Sequence, residues 1–162
     1  FVEEPAVWHI IAEDQLARDE AAVKEYTDYQ YKAWDVLEKL RDKVLKAIEE
    51  KRETGDIKHS LEAAITLSFD HNSPDYTVLE RFFKELANKG ESLAEFFKAF
   101  FIVSRVVIDG DGNDTSADEE GDALGVKVDV SRAQGVKCPR CWHWEESDHL
   151  HSLCARCADL VV

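Results

Sequence analysis

The chain has 162 residues, 44% hydrophobic and 33% charged, with a net charge of −14. That size and balance give one ordinary globular domain, or a modest domain with a small satellite, and exclude an unstructured tail. No apolar run reaches membrane-spanning length, and the acidic total argues against indiscriminate binding to phosphate backbones. The sequence opens Phe-Val-Glu-Glu-Pro, shows no charged-then-apolar leader and contains no methionine. It therefore reads as an excised or processed piece of something longer.

Taken in order, residues 1–12 are mixed and read as an extended lead-in. Residues 13–25 are rich in Ala, Glu, Asp and Arg and read as helical. A clearer helix is expected over 29–53, where Ala33, Leu37, Leu40, Val44 and Ala47/Ile48 form one apolar stripe. Gly55 ends it, and Lys51 and Arg52 sit in its last turn, where they suit the helix dipole. Between Lys39 and Lys58 there are seven basic and five acidic residues, a net +2 inside an acidic chain. Such a stretch is either a solvated helix face or a surface turned to nucleic-acid phosphates.

Ser60 to Phe69 alternates apolar and polar residues and reads as a strand with one buried face. Ser73 and Pro74 open a helix that runs to about Asn88, and Gly90 stops it. Ser92 with Glu95 opens a short helix through Phe97. Phe100 to Ile108 is apolar enough for a covered strand. An acidic loop spans 109–122, with seven acidic residues and no basic one. Val126, Val128 and Val130 mark a third strand, and Ala133-Gln134-Gly135 joins it to the last segment. The Leu160-Val161-Val162 tail is expected to pack back onto the protein.

The last segment holds the only four cysteines: Cys138 with Cys141, then Cys154 with Cys157, the pairs twelve residues apart. Each C-x-x-C turn aims two sulfurs at one point, and the loop between can fold the second pair opposite the first. Four converging thiolates make a closed tetrahedral site, so the residues point to one structural Zn²⁺ in a ribbon or knuckle. Iron or an iron–sulfur cluster takes the same ligands, and His143, His149 and His151 make a mixed set conceivable. Disulfides need an oxidising compartment, and a redox C-x-x-C uses one pair rather than two. In the same segment Trp142 and Trp144 flank His143. Either can stack on an exposed base or cover the metal, and Trp142 is expected to be a cover that packs on the sheet.

Asp109, Asp111, Asn113, Thr115 and Glu120 imitate an EF-hand calcium loop. The sixth position is Asp114 rather than Gly, and neither flank reads as a helix, so a solvated loop is the better reading. No phosphate-cradling glycine loop, nucleophile elbow or H-E-x-x-H appears. The chain shows no catalytic site of its own.

Three stretches carry a family resemblance: Ser60-Leu61-Glu62-Ala63, Phe101-Ile102-Val103-Ser104, and Lys137-Cys-Pro-Arg-Cys-Trp-His-Trp144 with Leu153-Cys-Ala-Arg-Cys157. In this order they resemble the C-terminal end of bacterial-type isoleucyl-tRNA synthetase, over roughly residues 30–160. A related finger closes DNA glycosylases of the formamidopyrimidine type, but without the first two stretches. The acidic insertion at 109–122 and the length of 13–28 depart from the family. The resemblance implies a cytoplasmic, monomeric parent that joins isoleucine to tRNA-Ile using ATP. It implies that this segment is non-catalytic, follows the helical anticodon-binding region and helps hold the anticodon stem. Cys138, Cys141, Cys154 and Cys157 carry over as ligands of one structural Zn²⁺.

The expected fold is α+β: a long N-terminal helix, a small mostly antiparallel sheet with helices on one side, and a C-terminal zinc ribbon or knuckle built on the four cysteines. The expected units are a helical segment 1–56, an α+β domain 57–134 and a zinc ribbon 135–162. Candidate RNA contacts are Lys43, Lys46, Arg52, Arg140 and Trp144. The alternative function is a zinc-stabilised protein-interaction module with an acidic surface.

Overall fold

The computed structural model describes residues 7–109, 124–146 and 153–160, with side chains from residue 18 onward. Helix α1 (Val7–Glu53) is continuous over 47 residues, where the sequence reading has a lead-in to residue 12 and two helical stretches. Thr27 does not break it. Its Oγ1 donates to the Val23 carbonyl at 2.8 Å, one turn back, which leaves the main chain helical. Residues 18–28 are exposed throughout, so helix propensity rather than packing holds that stretch. The second half differs. Ala33, Leu37, Leu40, Val44 and Ile48, with Val36, are all at most 4% exposed. This is the expected stripe. The helix ends as Gly55 turns left-handed (φ 82). The Gly55 and Asp56 amides then donate to the Arg52 and Lys51 carbonyls, both at 3.1 Å.

Ser60–Glu62 is a single 3-10 turn, so strand β1 (Ala63–Phe69) starts later than the alternation suggests. β1 is central in a mixed three-stranded sheet, parallel to β2 (Arg105–Asp109) and antiparallel to β3 (Val126–Arg132). Ile65 lies opposite Val106 and Val130, and Leu67 opposite Ile108 and Val128. One face is therefore a continuous apolar patch. The parallel β1–β2 pair requires a crossover, supplied by α2 (Pro74–Asn88) and α3 (Leu93–Phe101).

Helix α3 runs past Phe97 and takes Phe100 and Phe101, which the sequence reading places in a strand. Leu93, Phe96, Phe97, Phe100 and Phe101 fit a helical face, and the rings show it. Phe97 stacks on Phe101 at 5.2 Å between centroids, and Phe96 on Phe100 at 5.6 Å. Ile102 then adopts φ 58 and caps the helix, its neighbour Val103 donating to the Lys98 carbonyl at 3.1 Å. A β-branched residue there is uncommon, which is why the sequence does not announce the stop.

The core lies between the sheet and the helices, all on one side, with Leu40, Val44, Ile65, Leu67, Leu79, Phe97 and Phe101 fully buried. No described helix is long and apolar enough to cross a membrane. Beyond Gly135 come β4 (Val136–Lys137), β5 (Trp144–Glu145) and the one-turn α4 (Ala155–Ala158). Leu160 is exposed rather than packed back. The calcium-like loop from residue 110, together with His149 and His151, lies outside the described residues.

Candidate metal centre

β4 and β5 pair as a tight hairpin, Val136 opposite Glu145 and Lys137 opposite Trp144. Gly135 makes the entry possible. Its φ is 106, and a Cβ there would run into the backbone carbonyl of Glu145. Between the strands, the Cys138 amide donates to the His143 carbonyl at 2.8 Å and the Trp142 amide to the Cys138 carbonyl at 3.0 Å. This turn carries Cys138 and Cys141 on one side. Opposite, Cys154 caps α4, and its carbonyl accepts the Cys157 and Ala158 amides, both at 2.9 Å.

The four sulfurs lie within 4.8 Å of one another. A tetrahedral ion with bonds of about 2.3 Å to sulfur requires separations of about 3.8 Å. Cys141 and Cys154 already stand at 3.5 Å. Cys138 and Cys157 are buried and the other two half-exposed. No histidine joins the group among the described residues. His143 is half-buried, and burial, then the Arg156 charge, pushes its pKa below the usual imidazole value.

The thiols are not alike. The amides of Cys141 and then Cys154 hold Cys138 down at about 6, the second visible as an N–H···S contact of 3.5 Å. Burial pushes Cys154 up to about 12 and raises Cys157 as well. Four thiolates this close repel one another, and only a bound cation lets all four ionise. The donor set, its spacing and its amide contacts fit a soft divalent metal, which would be held by Cys138, Cys141, Cys154 and Cys157 with no ligand position open.

A feature the sequence does not reveal docks this knuckle on the sheet. Ser104, buried just before β2, donates its hydroxyl to the Leu61 carbonyl at 2.5 Å and accepts the Trp144 amide at 2.7 Å. One hydroxyl thus ties together the three stretches that carry the family resemblance. An Arg105–Glu146 ion pair adds a second, exposed tie. Serine in an apolar run is the only sequence sign of Ser104; its partners are 43 and 40 residues away.

The candidate RNA contacts fall in two places. Lys43, Lys46 and Arg52 lie on the C-terminal half of α1. Lys43 is half-buried and donates to the Val126 carbonyl, Lys46 is exposed, and Arg52 pairs with Glu49 at 2.6 Å. Arg140 and Trp144 lie on the knuckle, Arg140 reaching the Cys157 carbonyl at 3.4 Å. The expectation that Trp142 is a packed cover is overturned. It is 58% exposed at φ 68, with the Lys137 ammonium 4.9 Å from its ring centroid. The left-handed residue after Cys141 turns its side chain outward. Trp144 is the half-buried one, with the Arg132 guanidinium 5.3 Å from its ring.

No family model matches the chain. It is 33% identical over 147 residues to the isoleucine--tRNA ligase of Aquifex aeolicus (strain VF5), a stretch covering 90% of this chain and 13% of that protein. The chain is thus similar to a small part of an isoleucine--tRNA ligase.

Proposed function

We propose that this chain is a non-catalytic, tRNA-binding, zinc-binding piece of an isoleucine--tRNA ligase. The parent is a cytoplasmic, monomeric enzyme that attaches isoleucine to tRNA-Ile using ATP. The observation that carries the reading is the 33% identity running through 90% of the chain. The four-sulfur cluster adds to it. In this reading residues 1–56 close the helical anticodon-binding region, 57–134 form the α+β support and 135–162 form the knuckle. Zinc supplies structural cross-linking by four thiolates and no reactive position.

The acidic surface sets limits on how RNA is held. Zinc with four thiolates carries −2, so the knuckle attracts phosphates weakly. Exposed Lys46 and the Arg52 guanidinium at the end of α1 supply charge. Trp144 and Arg140 supply shape and hydrogen bonding on the knuckle side. Lys43, engaged with Val126, contributes through its position more than as a free cation.

A second reading is favoured by a different observation. Tyr31 and Trp34 are exposed on α1 in a chain of net charge −14. An acidic protein-interaction module would use such a surface to dock a basic partner. A titration with tRNA-Ile at several salt concentrations separates the two. The RNA reading expects affinity that falls as salt rises, is weakened by Lys46→Glu with Arg52→Glu, and drops on chelation. Absence of binding at every salt concentration favours the interaction module.

A further inference from the structure

The four cysteines are not equally placed. A cleft of about 280 Å³ separates the knuckle from the edge of the sheet, and of the four it is lined only by Cys141 and Cys154. These two are half-exposed, and their sulfurs are 3.5 Å apart. Cys138 and Cys157 are 2% and 3% exposed and face inward. Lys98, Arg105 and Arg156 also line the cleft. Glu145 and Glu146 line it too, with Arg105 paired to Glu146, so the cleft is polar and open to a small hydrophilic oxidant. The cluster therefore has a buried pair that anchors it and an open pair that a small oxidant reaches.

We propose that the cluster is an oxidant-operated latch, in which Cys141 and Cys154 form a disulfide across the knuckle and the metal is released. The inference rests on the metal reading given above. The oxidant is a small peroxide. The Cys141 thiolate attacks one peroxide oxygen, an S–O bond forms, the O–O bond breaks, and hydroxide leaves. The Cys154 thiolate then attacks the Cys141 sulfur, the S–S bond forms and the second hydroxide leaves. The two cysteines are oxidised by two electrons, and hydrogen peroxide plus two protons becomes two waters. Sulfur separation must fall from 3.5 Å to the bonded value of about 2.05 Å, within reach of side-chain rotation. Two thiolates are left to hold the cation, which is too few for a closed site.

The pairing is the distinctive part. A C-x-x-C sequence invites a disulfide within each pair, Cys138 with Cys141 and Cys154 with Cys157. The structure instead assigns the bond between pairs, joining the two halves that the metal otherwise joins. The hairpin and α4 then stay tethered after the metal is lost, so reduction lets the site reload without a search for its second half.

The test uses the full chain, loaded with zinc and treated with hydrogen peroxide. A chromogenic chelator follows the metal. Samples are quenched early with an alkylating agent and the disulfides mapped by peptide mass. The expected result is one zinc lost per disulfide formed, a Cys141–Cys154 bond, alkylated Cys138 and Cys157, and zinc uptake restored by dithiothreitol. Bonds confined within each C-x-x-C pair overturn the proposal, as does sulfinic acid without a disulfide, or full retention of zinc and thiols under peroxide. A chain that takes up no zinc at the outset defeats the metal reading instead. Mapping the metal-free chain then still decides the pairing.

Discussion

The sheet with its helices and the knuckle beside it are built on opposite principles. In the first, α1, α2, α3 and the three strands converge on one apolar cluster whose central side chains are wholly buried. In the second, among residues 136–146 and 153–160, only Cys138 and Cys157 are buried. Two buried nitrogens there, His143 Nδ1 and Trp144 Nε1, have no hydrogen-bond partner. Water expulsion folds the first region. The second has too little apolar area for that, and cross-linking must replace it. A segment of some twenty residues can thus share a chain with a conventional core and still answer to different chemistry.

The largest expected effect comes from breaking the cross-link. Metal binding supports folding of small zinc modules by about 10–16 kcal/mol. Cys154→Ser should therefore unfold the knuckle while the thermal transition of the sheet domain persists. A single lost transition for the whole chain would erase the contrast. Acid acts in the same direction. Protons compete with the cation for the sulfurs, so metal affinity should fall as pH falls, read by competition with a chelator at several pH values.

Next in size is damage to the apolar core. Leu40 is completely buried between α1 and the sheet. Leu40→Ala should cost about 2–5 kcal/mol in denaturant unfolding, with metal content unchanged. A smaller effect is expected at the joint. Ser104→Ala leaves the Leu61 carbonyl and the Trp144 amide without their shared partner, a cost of about 1–3 kcal/mol. Its signature is faster amide exchange at Trp144 rather than loss of metal. Smallest is Arg105→Ala. The Arg105–Glu146 pair is exposed on both sides, so about 0–1 kcal/mol is expected, vanishing at high salt.

The two regions also differed in how far the sequence disclosed them. Periodicity shows the buried stripe of α1 because spacing maps directly onto one helix face. It shows β1 for the same reason, with alternate residues on alternate faces. It fails at the start of Phe100–Ile108, where an apolar run broken only by Ser104 and Arg105 suits a covered strand as well as a helix, and Ile102 rather than a glycine makes the turn between α3 and β2. Parallel pairing of β1 with β2 depends on the route of the crossover, which no local pattern records. In the knuckle the spacing of the cysteines discloses convergence. It does not disclose which tryptophan packs, because that follows from the left-handed backbone at Trp142. Nor does it disclose Ser104, whose meaning exists only once distant segments meet.

The most direct test of this contrast is amide hydrogen exchange on the zinc-loaded chain, with and without a strong chelator. The account predicts that chelation strips protection from residues 136–146 and 153–160 while Ala63–Phe69 keeps its own. Protection in the knuckle that survives complete metal removal would contradict it, as would loss of protection in both regions together.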